Sequence, residues 1–198
     1  MERIVLSDNP NSVVLDTNNY IVSNAKQLSF VIKQNNSINL LINGISENAL
    51  IDINIEEGAS LTISFLSTTE FGNLKFSCKC KKDSSVTGYF ADFSEGKNFG
   101  DVQVDLNEQG SSCVWHLASL SSKKDNKRFD VSVNHNASNT NCQLDNYGVC
   151  KDEAKLIFSG ICSVIKGSSR AEAHQNAKIM VFDEKSNAIA KPILKIDE

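Results

Sequence analysis

Leu50-Ile51-Asp52-Ile53-Asn54-Ile55-Glu56-Glu57-Gly58-Ala59-Ser60-Leu61-Thr62-Ile63-Ser64-Phe65 carries the signal that recurs along the whole chain. Two short runs alternate apolar and polar residues, and a small acidic turn separates them. Side chains on a strand point alternately to opposite faces, so each run buries one face and wets the other. A Gly in the intervening turn supplies the backbone freedom that reversal or bending requires.

The same pattern extends in both directions. Upstream lie Val13-Val14-Leu15, Leu28-Ser29-Phe30-Val31-Ile32 and Ile38-Asn39-Leu40-Leu41-Ile42, with turns expected at Asn35-Asn36-Ser37 and Ser46-Glu47-Asn48. Downstream come Leu74 to Cys80, Val86 to Ala91, Val102 to Leu106, Cys113 to Leu117 and Phe129 to Val133. Leu156 to Phe158, Ile161 to Ile165, Lys178 to Phe182 and Ile193 to Ile196 follow. No run of ten or more residues carries a helical stripe, so the chain reads as all-β.

Several turns share one wording, an acidic, amide or glycine residue followed by small residues and then an apolar one. Gly58-Ala59-Ser60-Leu61, Asp83-Ser84-Ser85-Val86 and Gly110-Ser111-Ser112-Cys113 are examples. Such recurrence suits a solenoid, in which each coil buries its inward side chains on its neighbours. Only two prolines occur, as strands paired on both sides require, and scattered asparagines can stack in ladders between coils. A two-sheet sandwich fits the periodicity equally well.

At 198 residues the chain is expected to form one domain spanning 1–198. A net charge of −4 provides no field for nucleic acid or an anionic membrane. The apolar run within Met1–Asp8 is too short for a signal peptide, and no stretch is long enough to cross a bilayer as a helix, so a cytoplasmic location is expected. The six cysteines are then read as reduced thiols rather than a disulfide framework, and the sequons at Asn35 and Asn136 as chance matches.

Cys78 and Cys80 share a face with Phe76 and read as small buried hydrophobes. Cys142, Cys150 and Cys162 match no compact cluster-binding spacing, although thiolates are the standard ligands of iron–sulfur clusters. His116 falls on the polar face of a strand. His135 and His174 are expected as buried, hydrogen-bonded histidines locking turns. With no G-x-S-x-G, H-E-x-x-H or phosphate loop, and with Glu56-Glu57 in a turn, the chain is not expected to be an enzyme.

The stretch His135 to Pro192 has more specific wording. His135-Asn136-Ala137-Ser138-Asn139-Thr140, Gly148-Val149, Phe158-Ser159-Gly160-Ile161, Gln175-Asn176 and Lys191-Pro192-Ile193-Leu194-Lys195-Ile196 follow one another in order. This resembles the core domain shared by SufB and SufD, the scaffold subunits of SUF iron–sulfur cluster assembly. Ser138 stands where that family usually has Pro, and the wording Ala190-Lys191-Pro192 sits nearer SufD.

The resemblance implies a right-handed parallel β-helix in a single domain, without the family's terminal helical domains. It implies a scaffold that pairs with a SufB- or SufD-type subunit or with itself through Ile193, Leu194 and Ile196. Docking of the ABC-type ATPase SufC is disfavoured without the helical domain. No cofactor is assigned beyond a transient iron–sulfur cluster, for which Cys142, Cys150, Cys162, His135 and His174 are the candidate ligands. The Cys and His that the family uses have no counterpart in Asp183–Ala190 or before Asp197-Glu198, where the sequence stops. That leaves a degenerate regulatory paralogue as one alternative. A β-helix protein binding or cleaving polysaccharide is another, though 7% aromatic residues supply few sugar-stacking surfaces.

Overall fold

The computed structural model describes residues 2–3, 13–15 and 19–197; the stretch 4–8 read above for an export signal lies outside the described residues. Every regular element among the described residues is a strand, and every strand pairing is parallel. Two short strands, β1 (Glu2–Arg3) and β2 (Val13–Leu15), pair with β3 (Asn19–Ile32), which in turn lies on β4 (Ser37–Ile55).

From β4 onward the chain alternates between two stacks. One holds β5 (Ser60–Ser67), β7 (Ser85–Asp92), β9 (Ser112–Ser121), β11 (Asn141–Cys150) and β13 (Glu172–Val181). The other holds β6 (Asn73–Cys80), β8 (Lys97–Leu106), β10 (Asn126–His135), β12 (Lys155–Val164) and β14 (Asn187–Ile196). The first half of β4 pairs with β5 and its second half with β6, so one strand joins both stacks. The result is a parallel β-solenoid of about five two-strand coils, and a face-packed sandwich is excluded by the ladder of consecutive coils.

Two local expectations differ. Ser46-Glu47-Asn48 does not interrupt the chain as a turn: β4 rounds the corner without a break, with Asn48 in the left-handed region at φ 57°. The runs on either side of Ser159-Gly160 are one strand, β12, because Gly160 keeps its place in the ladder opposite Val131 and Pro192.

Each coil bends at a residue with positive φ, and along one edge these stack as Asn35, Gly58, Asp83, Gly110, Asn139 and Arg170. Gly110 is constrained twice, by its φ of 76° and by Asp83 Oδ1, which would lie 2.0 Å from an added Cβ. Amide side chains link the coils as expected, from Asn39 to Asn19, Asn73 to Asn48 and Asn136 to Asn107.

The coils are not equal. Ser37 pairs with Ser60 at a spacing of 23 residues, Ser60 with Ser85 at 25, Ser85 with Ser112 at 27, Ser112 with Asn141 at 29 and Asn141 with Glu172 at 31. The solenoid therefore widens towards its C-terminal end. The early interior is apolar, with Ile38, Ile42, Ile53, Ile55, Leu61 and Ile63 buried. Along the axis run aromatic contacts from Phe76 to Trp115 at 5.2 Å and from Phe65 to Phe90 at 5.3 Å, continuing to Phe129 and Phe158. Gly88 leaves the space that Trp115 fills, since an added Cβ would lie 2.1 Å from the indole.

Candidate functional site

The wider coils bring new side chains inward. Strand alternation places Cys142 of β11 and Cys162 of β12 inside, on opposite stacks, and their Sγ atoms are 3.2 Å apart. His135, the last residue of β10, is also fully buried, with Nε2 3.2 Å from Cys142 Sγ. Its other nitrogen, Nδ1, lies 2.7 Å from Thr140 Oγ1. The Thr140 hydroxyl donates its single proton to the Ala137 carbonyl at 3.1 Å, so it accepts from Nδ1 and leaves Nε2 facing the thiol as an acceptor. Ser168 Oγ donates to the His135 carbonyl at 2.8 Å and pins the corner from the next coil.

His135 therefore locks its turn, as its sequence context implies. His174 does not: it sits mid-strand in β13 on the outward, exposed face opposite Gln143, because its parity with Glu172 and Asn176 turns it to solvent. Cys150 is also separate, with its thiol directed at the Ala154 carbonyl at 3.3 Å. Cys78 and Cys80 are buried beside Phe76, as a core row requires. His116 is on the outer face, stacked on Tyr89 at 5.2 Å, with Nδ1 3.2 Å from Asp145 Oδ2.

The two central thiols differ electrically. The hydrogen bond it shares with Cys142, with a smaller contribution from His135, holds Cys162 down to about 6 against the opposing effect of burial. The partner thiol Cys142 moves upward, through its hydrogen bond to Cys162 and through burial. Burial also raises Cys113 and Cys150, and a hydrogen bond to Cys80 together with burial raises Cys78.

Among the described residues no three His, Cys, Asp or Glu side chains are disposed to hold a metal ion. The sulfur separation explains why for the central group. Two thiolates on one tetrahedral zinc, at bond lengths of about 2.3 Å, stand about 3.8 Å apart. A 3.2 Å gap is the spacing of a thiol hydrogen bond.

Sequence reasoning missed a second buried group. Lys127 has no exposed surface, and its Nζ meets Asp92 Oδ2 at 2.8 Å and the carbonyls of Ser94 and Leu120. Asp92 also accepts from Ser119 Oγ at 2.7 Å and from Ser94. The signal was present, because Lys127 has the inward parity of Phe129, Val131 and Val133. Asn146 and Gln175 were missed as well; each buries a side-chain carbonyl oxygen without a hydrogen-bond partner among the described residues.

Among the described residues the last coil is open. Leu194 stacks on Cys162 and Ile196 on Val164, the inward rows of β12, yet they are 55% and 65% exposed. Ile193 pairs with Ile161 and belongs to the outer face, so the three expected interface residues divide between the open end and the flank. A shallow apolar depression of about 350 Å³ crosses the other flank among Phe93, Leu120, Tyr147 and Met180, with Lys178 its one charged lining residue.

The model of the family described as "SUF system FeS cluster assembly, SufBD core domain" matches residues 5–198. The chain belongs to the SufBD core-domain family. It is 26% identical over 117 residues to the iron–sulfur cluster assembly protein SufD of Bacillus subtilis (strain 168), a match covering 59% of this chain and 27% of that relative. As a SufBD core domain it is thus a member of an assembly-scaffold family, on the SufD-like side. Among the described residues no helix is long and apolar enough to cross a membrane.

Proposed function

We propose that this chain is a non-catalytic scaffold subunit in iron–sulfur cluster assembly, located in the cytoplasm, which pairs through its last coil with a SufB/SufD-type subunit or a second copy of itself. The observation that carries the reading is the uncovered inner face of β13 and β14. In every earlier coil the inward row is roofed by the next; Leu194 and Ile196 have no roof among the described residues. The outer backbone edges of β13 and β14 pair with no strand among the described residues, which is a template for strand addition. An iron–sulfur cluster is cargo in this scheme, with ligands completed by the partner.

The test is the solution mass of the full chain, alone and mixed with SufB- or SufD-type subunits, by light scattering after gel filtration. Leu194→Asp and Ile196→Asp are expected to dissociate the complex, and Ile193→Asp to weaken it less. Unchanged elution of all three variants would remove the interface. Anaerobic reconstitution with iron and sulfide separates scaffold from regulator: a stable visible chromophore in the paired state favours the scaffold.

A further inference from the structure

We infer that Cys142 and Cys162 form a redox-active dithiol, oxidised by hydrogen peroxide to an intramolecular disulfide that fastens the two stacks together one coil below the open end. The two sulfurs already face each other at 3.2 Å across the interior, and His135 Nε2 lies against one of them. The gap to be closed is about 1.2 Å, given a disulfide bond of about 2.0 Å. The same short gap disfavours shared ligation of a metal ion.

Access comes from the open end. The residues stacked directly over the pair are Ala173, which is small, and Leu194, which is more than half exposed. Local opening of that single coil admits a molecule the size of peroxide. Pairing of that coil with another subunit would slow this access, and the geometry of the two thiols does not depend on it.

The chemistry balances with His135 as proton carrier. Cys142 lies 3.2 Å from each of the other two groups; it gives its proton to His135 Nε2 and takes that of Cys162, and the Cys162 thiolate attacks one peroxide oxygen. The O–O bond breaks, and the departing hydroxide takes the proton from the imidazolium to leave as water. The Cys162 sulfenic acid is then attacked by the Cys142 sulfur. An S–S bond forms as the S–O bond breaks, and the Cys142 proton leaves with the hydroxyl as a second water. Two thiols lose two electrons, and one peroxide gains them. His135 is a positioning residue in this scheme, and Thr140 fixes its tautomer.

The full chain is treated with hydrogen peroxide, alkylated, unfolded and digested with trypsin and Asp-N, which separate Cys142, Cys150 and Cys162 onto different peptides. Titratable thiols are expected to fall from the six of the untreated chain to four. The Cys142 and Cys162 peptides should be joined in a form that dithiothreitol releases. Cys142→Ser is expected to abolish the link and leave Cys162 as a sulfenic or sulfinic acid, which shows the order of attack without requiring the double variant to fold. His135→Gln should slow the reaction of wild-type cysteines at neutral pH, with the link still formed at high pH.

Three results would overturn the inference. One is retention of all six thiols. Another is a link that appears only in urea or joins other cysteines. The third is stoichiometric zinc or ferrous iron bound by the untreated protein through these two cysteines.

Discussion

The first coils and the last ones are built on the same backbone plan with opposite interiors. Around β4 and β5 the inward rows are Ile38, Leu40, Ile42 and Leu61, Ile63, Phe65, and no polar side chain joins them until Ser67. Around β11 and β12 the corresponding rows contain Cys142, Asn146 and Cys162, with His135 in the coil before. The change coincides with the lengthening of the coil. Where this stack's strands lengthen from eight residues to ten, an added inward position opens, filled by Asn98 in β8 and Lys127 in β10. Apolar burial near 25 cal/mol per Å² holds the narrow end together. The wide end depends on hydrogen bonds that must all be made, because a buried polar group left unpaired is costly.

The largest expected break in this comparison is at Lys127. Lys127→Ala strands Asp92 as a buried, unpaired carboxylate and should cost about 3–5 kcal/mol in denaturant unfolding, whereas the paired change Lys127→Met with Asp92→Asn should cost much less. If the single variant unfolds at the wild-type midpoint, the polar network does not support the wide end.

Next comes a matched truncation at each end. Ile63→Ala, in the sealed interior, should lose about 2–5 kcal/mol, and Ile179→Ala, in the unroofed last coil, at most about 1 kcal/mol. Equal losses would mean that the last coil is covered in solution, which itself measures the pairing.

The smallest effect is a pH slope. The thiol of Cys162 is held low in the folded chain, so between about pH 6 and its ordinary range near 9 the unfolded chain binds more protons. Folding stability should therefore rise with pH across that window and be lost as pH falls through about 6. The slope should stay below about 1.4 kcal/mol per pH unit. Cys162→Ser should flatten the profile, measured as urea midpoints.

Much of this fold can be read from alternation alone. Val86 to Ala91 and Phe129 to Val133 lie in strands with the inward faces their parity assigns. Solenoid and sandwich could not be separated by that rule, because both bury alternate residues; only the parallel ladder linking Cys78, Val104, Val133 and Cys162 across four coils decides it. The site was legible in part. His135 was readable because Asn136 and Asn139 mark its turn, but nothing in a 20-residue separation announces that Cys142 and Cys162 touch. His174 was misread because its motif suggests a turn while its parity places it outward. Lys127 was overlooked for the converse reason, a charged residue whose parity places it inward.

The steady growth in perimeter gives the molecule a throat and a mouth of different gauge. A spacing of 31 residues at the mouth cannot be continued by a neighbour whose described strands begin at 18, where Glu2 pairs with Tyr20. Head-to-tail stacking into an endless fibre, the hazard of any uncapped parallel ladder, is therefore mismatched from its first step, while two mouths of equal size can meet and close.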